Sequence, residues 1–168
     1  LAGEVMIEPK LDGVRTIAVI YATGNVMLYS RNGKEFENFP HIAKDLSKIA
    51  DTFRSHDTDA LVIDGEITGK SFQELMRGAT KKDHVATDSV FNVFDFMILD
   101  DFKRGFSNTS QIDRLLALES IVNRVQMESV VMVKGKQINL DTEEAHKVMA
   151  QYANDCVAEG YEGIMIKK

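Results

Sequence analysis

The sequence predicts an α+β fold of mainly antiparallel sheets flanked by helices. Three observations carry that expectation. Runs rich in Val, Ile and Tyr recur at strand length. Hairpin-like turn signals, Gly13 and Thr23-Gly24-Asn25 among them, join the first of these runs. Segments with apolar residues at helical spacing lie between other strands, so that strand and helix signals mix throughout.

In chain order, residues 4–9, 14–21 and 25–30 read as strands. Residues 41–53 read as a helix, with Ile42, Leu46, Ile49 and Phe53 on one stripe. Residues 60–68 form an apolar strand around Asp64-Gly65-Glu66, and Ser71 with Glu74 has capping-box spacing for a short helix to about Arg77. Residues 89–99 are a strongly apolar strand, 110–127 a helix and 129–134 a further strand. In the helix expected at 142–158, Ala145, Val148, Met149, Tyr152 and Cys156 share a buried face, and Gly160 can end it. Residues 163–168 are the last strand.

The 168 residues are 44% hydrophobic and 27% charged, which fits one globular domain. Cys156 is the only cysteine, so there is neither a disulfide framework nor a cysteine metal cluster, and a reducing compartment suits the chain. No apolar run approaches a membrane span and no secretory signal opens the sequence, which points to a cytoplasmic protein. The net charge of −6 argues against a self-sufficient DNA clamp, because phosphate contacts supply most of such a protein's affinity. The four histidines have no metal-ligand spacing.

Five segments carry chemistry. In Glu8-Pro9-Lys10-Leu11-Asp12-Gly13-Val14-Arg15 a lysine ends an apolar strand, and Glu8 and Lys10, two apart, share a face. A lysine amine is a nucleophile only when neutral, a state that burial and nearby cations favour. The same string also fits a salt-bridged surface turn. In Leu61 to Ile67, alternation puts Val62, Asp64 and Glu66 on one face, and two acids there are costly unless they bind something or run into solvent. A magnesium ion or a ribose hydroxyl would serve. In Tyr161-Glu162-Gly163-Ile164-Met165-Ile166-Lys167 strict alternation places Glu162 and Lys167 on opposite faces, so a twist or the long lysine stem must bring Lys167 round, or only Glu162 is in the site. Phe91 to Met97 offers aromatic rings on a strand; Phe91 and Phe96 read as plain core. Arg31, in Ser30-Arg31-Asn32-Gly33, either holds a phosphate or ribose or is solvated at a hairpin.

Taken in order, Lys-x-Asp-Gly-x-Arg from Lys10, Ser-Arg-Asn-Gly from Ser30, Asp-Gly-Glu from Asp64, Phe94-Asp95 and Glu-Gly-Ile-Met-Ile-Lys from Glu162 resemble the covalent nucleotidyltransferase superfamily of DNA ligases, RNA ligases and mRNA capping enzymes. The match runs from Glu8 to Lys167, and five motifs in order are far more specific than any one of them. Capping enzymes usually lack a lysine where Lys167 stands, and RNA ligases of the phage type often carry His or Glu in place of Asp12. NAD-dependent DNA ligases share the Glu-Pro-Lys-Leu-Asp-Gly string but usually follow it with Leu-Ala rather than Val14-Arg15. Arg15, Asn32 and Glu162 therefore favour an ATP-dependent DNA ligase, and the compact spacing looks like that of the small bacteriophage enzymes. An RNA ligase, a NAD-dependent ligase and a degenerate nucleotide-binding module that has lost catalysis are the alternatives.

The resemblance implies an ATP-grasp-like nucleotidyltransferase fold in which Lys10 becomes covalently attached to AMP from ATP. It implies that Glu8 accepts a hydrogen bond from the adenine amino group and that Phe94 stacks on the base. Pro9, Arg15, Arg31, Glu66 and Lys167 complete the nucleotide-binding set, with Glu66 reaching the ribose and Lys167 the α-phosphate. Glu66 and Glu162 are the implied Mg2+ ligands, and Asp12 holds the turn that presents Lys10. AMP then passes to the 5′-phosphate of nicked duplex DNA, the implied partner of a monomeric enzyme. The chain begins on Leu1 and stops before a fifth motif, so residues 1–168 read as an adenylation domain truncated at both ends. On that reading a C-terminal oligonucleotide-binding-fold domain is expected to be absent, and feeble self-adenylation is the expectation for the fragment.

Overall fold

A computed structural model describes residues 2–53, 58–69 and 87–168. The helix expected from Ser71 lies outside the described residues. The chain divides into two compact units: Leu1–Asp12 with Val133–Lys168, and Gly13–Met132.

The smaller unit is built on a three-stranded antiparallel sheet. Strand β1 (Glu4–Lys10) is its centre, flanked by β7 (Lys136–Asn139) and β8 (Gly163–Lys167). Period-two alternation sends Val5 and Ile7 to one face, where Ile138, Leu140, Ile164 and Ile166 join them. The helix Glu143–Ala158, here α5, covers that face with Val148, Met149 and Tyr152, and Cys156 is buried. Thr142 caps its start, accepting the Ala145 N–H at 3.2 Å. At its end Gly160 takes φ +93°, its N–H donates to Val157 O and the Tyr161 N–H donates to Cys156 O. That is a Schellman closure, and it delivers the chain directly to Glu162.

The larger unit holds a five-stranded sheet in the spatial order β3 (Val26–Ser30), β2 (Val14–Tyr21), β4 (Ala60–Thr68), β5 (Val90–Ile98) and β6 (Val130–Met132). All neighbours are antiparallel except β5 and β6. A parallel pair needs a crossover, here supplied by α3 (Leu99–Arg104) and α4 (Gln111–Arg124). Leu118 of α4 joins Ala18, Ile20, Leu28, Ile63, Ile67, Phe91 and Val93 in the main core.

The helix expected over 41–53 is two pieces, α1 (Pro40–Ser47) and α2 (Ala50–Phe53). The Lys48 N–H bonds Asp45 O and the Ile49 N–H bonds Leu46 O, three-residue steps that tighten the turn and break the α register. The stripe survives, since Ile42, Leu46, Ile49 and Phe53 are all buried. The strand and helix patterns of the sequence predict neither α3 nor β7. Strand β7 has a single buried apolar residue, Ile138, too little for a local pattern. Helix α3 did carry a signal: Asp100-Asp101 at its start, Lys103-Arg104 at its end and Gly105 in the left-handed region after it.

Candidate functional site

In the smaller unit, β1 carries Met6, Glu8 and Lys10 on the face opposite its core. Register places Met6 across from Lys167, Glu8 from Met165 and Lys10 from Gly163, so Lys167 shares the face of Glu8 and Lys10. The apparent conflict between Glu162 and Lys167 resolves at Gly163. Glu162 precedes the strand, and Gly163 at φ +144° turns the chain between them, so strict alternation does not reach Glu162. Backbone and side chain of Glu162 both meet Lys10: its N–H donates to Lys10 O at 3.0 Å, and its carboxylate contacts Lys10 Nζ. This pair is about half exposed, and so open to exchange with a ligand.

The second pair is buried. Lys167 Nζ lies 2.5 Å from Glu8 Oε2, with side chains 17% and 3% exposed. Gly135, outside the five motifs, closes against the same carboxylate: a Cβ there would stand 2.8 Å from Glu8 Cγ and 2.8 Å from Met6 Sδ. A lone glycine between two lysines was the available signal for such a close approach. Pro9 falls on the core-side parity with Ile7 and Ile164, so any contact it makes with a ligand on the Glu8 face comes from backbone. Breaking the buried pair by Glu8→Gln should cost roughly 3 kcal/mol, because the Lys167 ammonium loses its counter-charge in a dry setting. Adding Lys167→Met should restore part of that loss in chemical denaturation. Equal costs for the single and double variants would show that the pair contributes no such coupling.

Burial, with Cys156 beside it, pushes the Tyr152 hydroxyl up to about 12. Burial likewise raises the Cys156 thiol, in keeping with its reading as a core residue rather than a nucleophile.

In the larger unit, the face of β2 and β4 turned from the main core carries Arg15, Asp64 and Glu66. Arg15 grips Asp64 with both ends of its fork, Nε to Oδ1 at 3.0 Å and Nη2 to Oδ2 at 2.5 Å. Its guanidinium also lies 5.8 Å from the centre of the Phe94 ring. The Asp64 bond raises the Arg15 pKa against the opposing effect of burial, and the charges of Asp64, Glu66 and Asp95 add to it. Glu66 Oε1 accepts the Gly13 N–H at 3.1 Å, so Glu66 bonds the turn after Lys10, while Asp12, expected to hold that turn, is exposed. Gly13 and Gly65 are fixed by space: a Cβ would come within 2.4 Å of Ile67 O at Gly13, and within 2.6 Å of Asn92 O and the Phe91 ring at Gly65. Arg31 is exposed in the turn after β3.

Strand β5 explains why one phenylalanine differs from its neighbours. Gly65 pairs with Val93 and Asp64 with Asp95, so Phe94 is the extra residue of a bulge. Phe91 and Val93 face the core before it, and Phe96 packs on the core after it because the bulge reverses the alternation. Phe94 is thereby directed away from that core, toward Arg15.

Among the described residues, no three His, Cys, Asp or Glu side chains group to hold a metal by themselves. Magnesium does not require such a group, since it takes one or two carboxylates and completes its shell with phosphate oxygens and water. Glu66 belongs to the larger unit and Glu162 to the smaller. Among the described residues, no helix is long and apolar enough to cross a membrane.

The fold is that of the nucleotidyltransferase domain of ATP-dependent ligases. The solved structure named Pmar-Lig_Pre matches with a TM-score of 0.90 and 33% identity over 100% of this chain, which spans 39% of that one. The ATP-dependent DNA ligase of bacteriophage T7, solved with ATP, matches at TM-score 0.67 and 18% identity, covering 99% of this chain and 57% of that one. An archaeal ATP-dependent RNA ligase shares the fold at TM-score 0.61 and 17% identity, over 99% of this chain and 40% of that one. Comparison with curated proteins finds no match. The family model described as ATP dependent DNA ligase domain matches residues 1–168, and the chain belongs to that family.

Proposed function

We propose that this chain performs the nucleotide-charging step of an ATP-dependent DNA ligase, with Lys10 as the nucleophile. The observation that carries the reading is Lys10 at the end of β1, half-exposed and held against Glu162, in a chain matched throughout by the ligase family. The Lys10 amine sheds its proton and leaves Glu162 before it attacks. Its nitrogen then bonds the α-phosphorus of ATP while the bond from that phosphorus to the bridging oxygen breaks. Pyrophosphate departs with the electron pair, a second proton leaves the nitrogen for solvent, and a lysyl-AMP phosphoramidate remains.

The chain's own part is positioning and charge balance. Glu8 accepts from the adenine amino group, Phe94 stacks on the base, and Pro9 contributes backbone. Glu66 takes the ribose, and Arg15 and Arg31 contact sugar or phosphate. Lys167 serves the α-phosphate once released from Glu8. Mg2+ held by Glu66 and Glu162 would neutralise phosphate charge. The AMP is destined for the 5′-phosphate of a DNA nick, in a monomeric cytoplasmic enzyme.

The test incubates the protein with ATP or NAD labelled in the adenylate, then maps the adduct by peptide mass spectrometry. AMP on Lys10 from ATP alone is the expected outcome; label from NAD, or no adduct, would refute the reading. Transfer from the charged protein to nicked DNA in preference to nicked RNA separates a DNA ligase from an RNA ligase.

A further inference from the structure

A bulge disrupts the ladder and re-aims a side chain, and the one at Phe94 is followed at once by a densely bonded residue. The next residue supplies the anchor. Asp95 Oδ1 accepts from the Phe96 N–H at 2.8 Å and from Arg114 Nε at 2.8 Å, while Oδ2 accepts from Arg114 Nη2 at 2.8 Å. Arg114 Nη1 also donates to Thr109 O at 2.7 Å, tying the fork to the segment that leads into α4. Both side chains are mostly buried, at 15% and 18% exposure.

Two features show that the placement of Arg114 needs a reason beyond its own helix. Arg114 lies in the first turn of α4, where Ser110 is the cap, and a cation there opposes the helix dipole. Asp95 stands directly across from Asp64, and like charges so placed repel. Each aspartate has its own arginine, Arg15 on Asp64 and Arg114 on Asp95. Without Arg114, Asp95 would compete for Arg15 and draw it from the face of Phe94.

We infer that Arg114 is a positioning residue for nucleotide binding: its fork on Asp95 fixes the β5 bulge and leaves Arg15 on Asp64 and over the Phe94 ring, so that this ring is held ready for the base. The inference rests on the proposed stacking role of Phe94, and the experiment separates the two. Lysyl-AMP formation is followed against ATP concentration for wild type, Phe94→Ala, Arg114→Gln, Arg114→Lys and the double variant Phe94→Ala/Arg114→Gln, with each variant's thermal unfolding recorded. Arg114→Gln should raise half-saturating ATP about tenfold, the scale of one base-stacking contact, while the rate at saturating ATP changes by less than about threefold. Arg114→Lys keeps the charge but loses the fork, and should fall between wild type and Gln. It also serves if Arg114→Gln fails to fold. Because both residues act through one ring, the double variant should be no worse than the more affected single variant.

Penalties that multiply in the double variant would overturn the inference. So would an Arg114→Gln protein, or an Arg114→Lys protein if Gln does not fold, that loses saturating rate at unchanged half-saturating ATP, as a purely structural residue would. If Phe94→Ala leaves half-saturating ATP unchanged, the stacking role itself fails, and the inference with it.

Discussion

Lys10→Ala should lose lysyl-AMP formation by more than about 10³-fold, since no other group replaces a deleted nucleophile. The sharper variant is Lys10→Arg. A guanidinium keeps the positive charge and can still reach Glu162, but it does not deprotonate near neutral pH. Arginine should therefore be as inactive as alanine. The Lys10–Glu162 pair is about half exposed, so neither variant should change stability by more than about 1 kcal/mol. Loss of the adduct with unchanged unfolding then assigns the chemistry to Lys10. An adduct that persists in Lys10→Arg, mapped to another lysine, would sink the assignment; Lys167 is the first residue to examine, because it shares the face of Lys10.

The largest effect on stability is expected at Asp45, far in sequence from the groups it binds. Its Oδ2 accepts the backbone N–H groups of Glu128 and Ser129, at 2.9 and 2.8 Å, and the Ser129 hydroxyl at 2.7 Å. Its Oδ1 accepts Lys48 Nζ at 2.6 Å. Burial alone would raise the carboxyl, but the bonds from Lys48, Ser129 and Glu128 outweigh it and hold the pKa at about 2 against an ordinary 3.8. Asp45→Ala strands two backbone donors and should cost about 3–4 kcal/mol. Asp45→Asn still offers one oxygen to them and should cost roughly 2 kcal/mol, the value of the lost charge. The folded pKa is depressed, so this stabilisation is fully present above about pH 4 and is lost as pH falls toward 2. Denaturant unfolding across that range should show a shallower acid loss in Asp45→Asn than in wild type. If Ala and Asn cost the same, the backbone bonds are not what Asp45 contributes.

Periodicity and turn chemistry are short-range signals, and they located most of what is local. The alternation that put Glu8 and Lys10 on one face, and Asp64 and Glu66 on another, is the alternation observed. Phe91, Phe96 and Cys156 are packed residues, as their apolar strand and helix stripe indicated. Helix ends were legible too: the ranges from 110 and from 142 begin at the observed caps, and Gly160 closes the second helix. The break at Lys48 was not legible, because the apolar stripe runs unbroken across it while the hydrogen bonds change step. Strand β7 had no local pattern and exists through its pairing with β1.

By itself the sequence determined the order of the motifs and the faces shared by Glu8 with Lys10 and by Asp64 with Glu66, because these follow from residue type and a period of two. Tertiary structure alone decided the partners. Lys10 meets Glu162 across 152 positions, and Asp45 meets Ser129 across 84. It also decided the two places where alternation fails: the left-handed glycine at 163, which brings Glu162 to Lys10 while Lys167 faces Glu8, and the bulge that sends Phe94 out of the core. The physical reason is the same for both. Alternation is a property of one strand, whereas a bulge or an ion pair is settled only when a second strand or helix closes against it.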